Sequence, residues 1–445
     1  MKEKDTIPAS KVSRAMRFAK AGVKVGGNYV KHYAKRATGT KLEKDDLHKA
    51  NASDLYEALG EMKGSVLKLA QMMSMDQGVL PTAYAQQFQM AQYSAPPLSG
   101  PLVRKTFRKY LGKMPEELFD RFEDTAIAAA SIGQVHRAWI DDHPYAVKIQ
   151  YPGVADSILS DIQMAKPFAL RMLEVREHEV KDYIEEVTAK LLEETDYDLE
   201  LQQSIELTEK SSVLEHVRFP KYYPAYSSAR ILVMDWIEGQ PFDKFLATNP
   251  DQETRNRVGQ ALWDFYNFQI HALRKVHADP HPGNFLIDDR GQLWVIDFGC
   301  VKAIPESFYR SYFGMLEDFE ANDDAGIRHH LQQLRIILPT DKEETKGFLQ
   351  ETFIEMAGLM AKPMFQDTFD FGDTDYFAQI YQRGEQLGKD PTLRKIGSGR
   401  GPKDALYINR TYFGLYSMLH QLRATIRTRD LMEQYAAQYE ALQLG

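Results

Sequence analysis

The sequence predicts an α+β fold with two lobes, in which a small lobe rich in β-strands precedes a large helical lobe. Two strand-like segments flank an Asp141-Asp142 turn in the first half of the chain, and helical periodicity dominates the second half. Helical periodicity also precedes the strands, which predicts an N-terminal helical extension. We therefore expect four parts: a basic, partly ordered segment (residues 1–50), the helical extension (51–125), the strand-rich lobe with inserted helices (126–238) and the helical lobe (239–445).

The composition is that of a soluble globular protein, with 43% hydrophobic and 27% charged residues. The single cysteine, Cys300, excludes an intrachain disulfide and suits a reducing compartment, so we expect a cytoplasmic protein. No apolar run approaches the roughly 18 residues of a transmembrane helix. The first residues also lack the apolar core of a signal peptide.

The net charge of -8 conceals an asymmetry. Residues 1–50 carry 13 Lys and Arg against 5 Asp and Glu, a net of +8, which leaves a net of -16 on the remainder. An acidic body argues against nucleic-acid binding. The basic head either contacts an anionic membrane surface, which would make the protein peripheral to a membrane, or is a solvated tail.

The extension has the three- and four-residue spacing of a helix with one buried stripe, formed by Leu55, Leu59, Met62, Val66, Leu69 and Met73. Lys68 and Gln71 are three residues apart and share a face. By themselves they indicate only the polar edge of an amphipathic helix. Residues 99–125 predict one or two further helices with a break at Gly112.

Strand patterns begin near residue 126. Residues 126–138 are mostly small and lead to the predicted turn, and residues 145–150 alternate about Lys148. A lysine that is buried in the middle of a strand needs an anionic partner, whereas a lysine on the outer face does not. Residues 156–210 are helical, and their stretch 193–200 supplies several carboxylates.

The helical lobe is entered through residues 229–239, which predict a buried strand running into a turn. Residues 253–276 predict an amphipathic helix, and residues 293–296 predict a buried strand that delivers Asp297. Beyond it we expect further helices, with Asp-rich breaks at 322–324 and 369–375, a flexible connector at 397–401 and one or two closing helices at 405–442.

Three side chains able to bind a metal ion or a proton follow in close order, namely Asp279, Asn284 and Asp297. The first two lie in a His-Ala-Asp-Pro-His-Pro-Gly-Asn segment whose prolines and glycine exclude a helix. An amide 5 residues after an acid, and a second acid 18 residues after the first, is the spacing of a protein-kinase catalytic loop and its Asp-Phe-Gly. Helix capping is the alternative for each residue alone.

The other candidates occupy the matching places in that order of elements. Small residues stand where kinases have a glycine-rich turn over the phosphates, a strand lysine follows, and a hinge whose backbone would meet the adenine edge comes later. The candidate nucleotide-binding residues are Ala129, Ala130, Ser131, Lys148, Asp235 and Ile237.

These motifs together resemble the UbiB family of atypical kinases, also called aarF-domain kinases, and most of all its ubiquinone-associated branch. The resemblance runs from about Leu59 to the C-terminus, and its most specific stretches are residues 128–136, 147–153 and 194–197. Lys68 and Gln71 correspond to the family's Lys-x-Gly-Gln helix, which folds over the entrance to the site. Here Ala70 replaces the glycine of that signature.

The resemblance implies a protein-kinase-like fold and a role for each candidate. Lys148 would hold the α- and β-phosphates of ATP. Glu194 would be its ion-pair partner, with Glu200 as the second choice. The remaining roles fall to the loop residues: Asn284 and Asp297 would bind Mg²⁺ or Mn²⁺, and Asp279 would be the catalytic-loop acid.

Three departures from ordinary protein kinases bear on the reaction. Alanines restrict the phosphate turn that glycine leaves free. Ala278 stands where the usual catalytic-loop arginine would be, and residues 304–306 begin 5 residues after Gly299, which leaves little room for a regulated activation loop. We infer a site that is folded constitutively and gated by the extension, and we favour ATP hydrolysis over phosphorylation of many proteins.

The function predicted by this combination is an Mg²⁺–ATP-dependent atypical kinase-like ATPase or phosphotransferase. By resemblance it would support isoprenoid quinone biosynthesis or lipid handling at a membrane surface, with ATP, an anionic membrane or isoprenoid lipid and quinone-biosynthesis proteins as partners. Two alternatives remain open at this point. One is a nucleotide-binding pseudokinase scaffold, and the other is a small-molecule kinase of the aminoglycoside or choline type, whose catalytic loop has the same pattern.

Overall fold

The computed structural model describes residues 98–129, 132–173, 177–396 and 400–429, together with residues 434, 435 and 439. The predictions for residues 1–97, which include Lys68 and Gln71, lie outside the described residues. So do Ala130, Ser131 and part of the connector predicted at 397–401.

The strands of the described chain are short, and most have two or three residues. In chain order they are β1 (Arg121–Phe122), β2 (Ala128–Ala129), β3 (Gly133–Ile140), β4 (His143–Gln150), β5 (Val217–Arg218), β6 (Ile231–Asp235), β7 (Gln240–Pro241), β8 (Lys275–His277), β9 (Phe285–Ile287), β10 (Leu293–Val295), β11 (Val301–Ala303), β12 (Thr368–Asp370) and β13 (Thr425–Arg427).

The α-helices account for most of the regular structure after residue 240. In chain order, those within the described residues are α1 (Gly100–Leu111), α2 (Val154–Leu173), α3 (Glu177–Glu194), α4 (Tyr197–Ser211), α5 (Phe242–Ala247), α6 (Gln252–Asn267), α7 (Glu306–Ala321), α8 (Asp324–Gln333), α9 (Glu343–Ala361), α10 (Thr374–Lys389), α11 (Pro391–Ile396) and α12 (Lys403–Leu422). None of the helices in the described ranges is long and apolar enough to cross a bilayer.

The chain divides into two compact units. The first unit runs through Gln202 and includes Lys221–Trp236, and the second comprises Gln203–Pro220 and the chain from Ile237 onward. The first unit contains a five-stranded sheet, whereas the second is built mainly from helices with three small sheets. This distribution of strands and helices confirms the predicted α+β class.

The sheet of the first unit has the strand order β1-β3-β4-β6, and β2 pairs with β3. All of its pairings are antiparallel. Because β4 has a neighbour on each side, its residues from Tyr145 to Gln150 are all buried. The structure thereby confirms the strand predicted at residues 145–150.

The turn between β3 and β4 is made by Asp141 and Asp142, with φ angles of 49° and 63°. Two consecutive positive φ angles define a type I′ turn, whose twist matches that of the flanking strands. Aspartate tolerates this conformation better than most residues. Asp120 fixes the turn further, because its Oδ2 accepts a hydrogen bond of 2.9 Å from the Asp141 N–H. The predicted hairpin is therefore confirmed.

The prediction of one or two helices over residues 99–125 is only partly correct. The first helix, α1, ends at Gly112, whose φ of 70° breaks it as expected. A single 3₁₀ turn, Pro115–Glu117, follows, and then the chain forms β1 rather than a second helix. Pairing of β1 with β3, together with edge-to-face contact between Phe107 and Phe122 at 5.5 Å, outweighs the local helical pattern.

The helix predicted at residues 253–276 is shorter than expected. The α-helix ends at Asn267, a π-helical turn (Phe268–Ala272) continues it, and Arg274 then adopts a φ of 50°. Residues 275–276 belong to β8, which pairs with β11. A two-stranded ladder of three residues per strand gives no recognisable periodicity, so the apolar residues of the sequence predict a continuation of the helix.

The Asp-rich breaks act as helix caps. Asp323 Oδ1 accepts hydrogen bonds of 3.1 Å from the N–H groups of Ala325 and Gly326 at the start of α8. Asp373 caps α10 in the same way. Of the one or two helices predicted at 405–442, α12 stops before Arg423, and β13 follows it to pair with β12. Beyond β13, the described residues 429, 434, 435 and 439 are helical.

The type I′ turn leads to a prediction about stability. Replacing Asp142 with valine should lower the free energy of unfolding by about 1–2 kcal/mol, because a side chain branched at Cβ is strained at positive φ. Replacing Asp142 with glycine should leave it unchanged or raise it. Urea denaturation measures both variants, and a valine variant as stable as the glycine variant would contradict the turn assignment.

Candidate functional site

Lys148 lies in the middle of β4, opposite Val135 on β3 and Leu232 on β6. Only 6% of its surface is exposed. A buried ammonium group requires a negative partner, and the Nζ of Lys148 lies 2.6 Å from Oε1 of Glu200, which is itself 3% exposed. The first unit therefore contains a buried ion pair between its central strand and α4.

At this distance Glu200, the second of the two predicted choices, is an ion-pair partner of Lys148. The role predicted for Glu194 stays a prediction. Glu194 is the last residue of α3, whereas Glu200 lies in the first turn of α4. A carboxylate in the first turn is stabilised by the helix dipole. The turn between the two helices brings Glu200 to β4, and the sequence does not reveal the geometry of that turn.

The turn between α3 and α4 is fastened to the sheet by two hydrogen bonds. The carbonyl oxygen of Thr195 accepts one of 3.0 Å from Nε2 of Gln150 and one of 2.7 Å from Nη1 of Arg230. Gln150 lies two residues beyond Lys148 on the same strand. These contacts fix the start of α4 and hence the position of Glu200.

Close packing around the ion pair requires a glycine on β3. A Cβ on Gly133 would lie 2.4 Å from the carbonyl oxygen of Ile149 and 3.1 Å from the hydroxyl of Tyr197. Tyr197 is fully buried, and its ring centre lies 5.2 Å from Nζ of Lys148, which is the range of a cation–π contact. Any larger residue at position 133 would push apart the elements that hold the lysine.

The sheet also presents an apolar surface on the face that carries Lys148. Residues opposite each other on antiparallel strands, and residues two apart on one strand, share a face. By this register Val135, Ala146 and Met234 lie on the same face as Lys148. The sequence interpretation missed them, although the alternation about Lys148 was a signal that could have found Ala146.

The remaining described candidates of the first unit, Ala129 and Asp235, lie in two of its other strands. Ala129 belongs to β2 and pairs with Gln134, while the two residues after it are not described. Asp235 ends β6, and its carboxylate accepts hydrogen bonds from the hydroxyl of Tyr223 at 2.7 Å and the N–H of Lys221 at 3.0 Å. Burial, with the hydrogen bond to Asp235, raises the pKa of Tyr223, so the phenol remains the donor.

The carboxylate of Asp235 is thus engaged within the first unit, where it also lies 2.9 Å from Nε2 of His143. Any contact of this segment with a nucleotide would fall to its backbone, as the sequence interpretation expects. The first unit ends at Trp236 and the second resumes at Ile237. In the described part of the chain, no hydrogen bond engages the N–H of Ile237.

The second unit places Asp279, Asn284 and Asp297 around one loop. The loop begins where β8 ends, and Ala278 still donates its N–H to the carbonyl of Cys300 at 2.8 Å. Nδ2 of Asn284 donates to the carbonyl oxygen of Asp279 at 2.9 Å. The carbonyl of Asn284 in turn accepts from the N–H of Ile296 at 3.0 Å, which brings the loop beside the start of the Asp297 segment.

The chemistry of these groups fits a magnesium–nucleotide complex. Nδ2 of Asn284 is used as a donor, which leaves its Oδ1 as the atom able to bind a cation. Oδ1 of Asp297 accepts from the N–H of Gly299 at 2.8 Å and so fixes the carboxylate. Among the described residues there is no group of three or more His, Cys, Asp or Glu side chains suited to a metal. Mg²⁺ needs only one or two protein ligands when phosphates and water supply the others.

Helix α12 contacts the loop at two consecutive loop residues, Asp279 and Pro280. Nη2 of Arg410 lies 3.8 Å from Oδ1 of Asp279, and their side chains are only 9% and 15% exposed. One helical turn later, a Cβ on Gly414 would lie 2.3 Å from Cγ of Pro280. Sequence reasoning missed both residues, because nothing in the local pattern connects them to a loop 130 positions earlier.

One further buried residue, Gln269, contacts the loop, and a second, Tyr266, lies within electrostatic range of Asp279. Oε1 of Gln269, in the π-helical turn, accepts a hydrogen bond of 3.0 Å from the N–H of His277. Burial, and then the charge of Asp279, raises the pKa of Tyr266 well above its usual range, so this residue stays a neutral phenol. The departure from the predicted helix at residues 268–272 therefore provides a contact that positions the loop.

Comparison with known proteins identifies the family of this chain. The model of the ABC1 atypical kinase-like domain matches residues 90–331, which is more than half of the chain. The probable serine/threonine-protein kinase abkA of Dictyostelium discoideum is 26% identical, over 95% of this chain and 78% of that protein. The mitochondrial atypical kinase COQ8B of Danio rerio is 25% identical, over 96% of this chain and 68% of that protein.

Some relatives are considerably longer, and the chain spans 42% of the Arabidopsis thaliana chloroplast protein ACTIVITY OF BC1 COMPLEX KINASE 8. A Mycobacterium tuberculosis protein, solved as a complex with erythromycin, superposes with a TM-score of 0.59 at 24% identity, over 89% of this chain and 98% of that one. Together with the domain match, this likeness confirms the predicted two-lobed protein-kinase-like fold. The chain belongs to the ABC1 atypical kinase-like family, the UbiB family that its motifs resemble.

Proposed function

We propose that this protein is an atypical kinase-like ATPase or phosphotransferase that depends on Mg²⁺ and ATP. The observation that carries the proposal is the buried ion pair between Lys148 and Glu200. A buried ion pair is an inefficient way to stabilise a fold, because desolvation of the two charges offsets most of their attraction. A lysine held in this way is instead suited to receive an anionic phosphate.

Each remaining candidate has a role in this reaction. Asn284 and Asp297 would bind Mg²⁺, or Mn²⁺, which neutralises charge on the phosphates. Asp279 would position the attacking water or hydroxyl, or take its proton. The guanidinium of Arg410 would hold this carboxylate in place.

The remaining candidates would contact the nucleotide itself. The small residues Ala129, Ala130 and Ser131 would cover the phosphates, and the backbone near Ile237 would meet the adenine edge. The apolar face around Val135 and Ala146 suits an adenine ring. This assignment gives a function to the sheet face that sequence reasoning overlooked.

Water is the acceptor that we favour. Ala278 takes the place of the arginine that receives an activation-loop phosphate in many protein kinases. The segment after Gly299 is short, since β11 begins at Val301 and α7 already begins at Glu306. A site of this kind needs no phosphorylation to fold, and Lys68 and Gln71 of the N-terminal extension would gate access to it.

The cellular role that we propose is support of isoprenoid quinone biosynthesis or lipid handling at a membrane surface. The relatives named COQ8 support this role, and the basic segment at residues 1–50 supports a peripheral contact with anionic lipid. Partner proteins would then belong to a quinone pathway. A scaffold that binds nucleotide without hydrolysing it is the competing function, and phosphate release separates the two.

Removing the metal ligand Asp297 tests the reaction. The Asp297→Asn variant should lose Mg²⁺-dependent ATP turnover by at least about 100-fold, because the transferring phosphoryl group loses its main charge stabilisation. Phosphate release from the purified protein measures the effect. Asp289→Asn is the matched control, since Asp289 is an exposed acid in the hairpin between β9 and β10, and it should retain full turnover.

Two results would contradict the proposed reaction. Equal turnover of the two aspartate variants would exclude the metal role of Asp297. Nucleotide binding by the unaltered protein without any release of phosphate, over a range of Mg²⁺ and Mn²⁺ concentrations, would favour the scaffold instead.

The ion pair gives a prediction that separates stability from activity. Lys148→Met leaves Glu200 buried without its cation and should lower the free energy of unfolding by roughly 3 kcal/mol. The double variant Lys148→Met/Glu200→Met should recover most of this loss, because both charges are gone. Neither variant should hydrolyse ATP. A double variant with near-normal turnover would exclude Lys148 from phosphate binding.

The basic segment gives a prediction about membranes. Replacing Arg14, Arg17 and Lys20 by glutamine in the full chain should weaken binding to vesicles that contain phosphatidylserine by about 3 kcal/mol, since each basic residue near an anionic surface contributes about 1 kcal/mol. Turnover of the unaltered protein should rise with these vesicles. Co-sedimentation and phosphate release measure the two effects.

The control variant removes the same amount of positive charge from another part of the chain. Lys105, Lys109 and Lys113 are exposed residues of α1 and the turn after it, and their replacement by glutamine should leave vesicle binding unchanged. Equal loss of vesicle binding in both triple variants would show that the effect depends only on the net charge of the protein. Equal binding of the unaltered protein to neutral and anionic vesicles would remove the electrostatic contact altogether.

A further inference from the structure

The second unit contains an apolar cavity of about 80 Å³ among helices α7, α9 and α12. Aromatic, leucine and methionine side chains line it, for example Phe313, Leu316, Phe353, Met360 and Phe413. None of its lining residues is charged. Genuinely empty protein cavities are apolar, and a larger engineered one, of about 150 Å³, stays dry and binds a small hydrocarbon.

The few polar groups of the cavity wall are arranged for a neutral ligand. The hydroxyl of Tyr416 donates to the carbonyl of Met360 at 2.8 Å, and that of Tyr412 donates to Oδ1 of Asn267 at 3.0 Å. Tyr312 donates to Oδ1 of Asn409. Asn409 is the exposed member of the lining, so its amide N–H groups can donate to an uncharged polar group near the solvent.

Helix α9 gives an independent sign of an apolar partner. An amphipathic helix confines its apolar residues to one stripe, but the apolar residues of α9 lie on several sides. Phe353, Ile354, Met356, Leu359 and Met360 are each only half-buried. The helix beside the cavity thus keeps more apolar surface in partial contact with solvent than packing against its neighbours requires.

Helix α12 connects this cavity to the catalytic loop. Asn409 and Phe413 line the cavity, whereas Arg410 and Gly414, the next residue after each, contact Asp279 and Pro280. Protein interiors are close-packed and pass on small displacements. A group that enters the cavity and moves α12 would therefore also move the loop.

We propose that the cavity binds the apolar chain of a neutral amphiphile, and that the bound chain acts on the catalytic loop through α12. The chain occupies the space between the aromatic side chains, and its polar end meets Asn409. The binding part stands on the cavity alone, whereas an effect on turnover rests on the proposed ATPase function.

Quenching of tryptophan fluorescence tests the binding. The ring of Trp263 stacks on that of Tyr416, a cavity residue, with centroids 6.3 Å apart, so a brominated chain in the cavity should quench it. The probe is 8-bromooctan-1-ol, and octan-1-ol should compete with it. The Trp263→Phe variant should lose the saturable part of the quenching. Quenching that does not saturate, or that persists in this variant, would overturn the proposal.

A substitution that fills the cavity tests its location. Ala357→Leu places a larger side chain among the lining residues and should weaken the probe by about tenfold, the loss expected when about two methylene groups are kept out. Gly358→Leu is the control on the same helix, because a Cβ on Gly358 meets only open space. It should bind the probe as the unaltered protein does. Equal binding to both variants would place the chain elsewhere.

Hydrogen exchange tests the coupling without reference to turnover. Octan-1-ol should change the exchange rates of amides at residues 278–284 in the unaltered protein and in Gly358→Leu, but not in Ala357→Leu. Saturable quenching without this change would overturn the coupling and leave the binding site. If the exchange changes but no variant or condition gives ATP turnover, the proposed function fails while this inference stands. The competition experiment uses the unaltered protein, so it tests the binding even if one of the variants fails to fold.

Discussion

The buried ion pair between Lys148 and Glu200 is the constraint around which the first unit is arranged. Two charges removed from water are tolerable only in close and fixed contact. That contact requires β4 in the centre of its sheet, α4 beginning at a defined point, and a turn fastened at Thr195. It also requires glycine at position 133, since a Cβ there would separate β3 from Ile149.

The surroundings of this ion pair show which features the sequence could predict and which it could not. The strand around Lys148, the hairpin turn and the strand that delivers Asp297 follow from local alternation and turn chemistry, so they were predictable. The contact between Glu200 and Lys148 was not. Glu194 and Glu200 are both helical acids near one turn, and only the tertiary position of α4 brings Glu200 to the lysine.

The parts of the fold that the sequence did not predict have one physical property in common. Each of them forms because of a contact with a segment that is distant in the sequence. Strands of two or three residues such as β1, β8 and β13 carry no periodicity of their own and form because another strand pairs with them. The contacts of Arg410 and Gly414 with the catalytic loop are of the same kind. A single sequence predicts the motif residues, but not the scaffold that orients them.

Helix α12 illustrates why such scaffold contacts matter for mechanism. Its Gly414 lies so close to Pro280 that no side chain fits between helix and loop, which leaves no compressible layer to absorb a shift. Arg410 adds a charge contact to Asp279 one turn away. The catalytic loop is thus set by the position of one helix, and that helix also forms a wall of the apolar cavity. In a family member without a long activation segment, the binding that we propose for this cavity would act on the loop of Asp279 through α12, without phosphorylation.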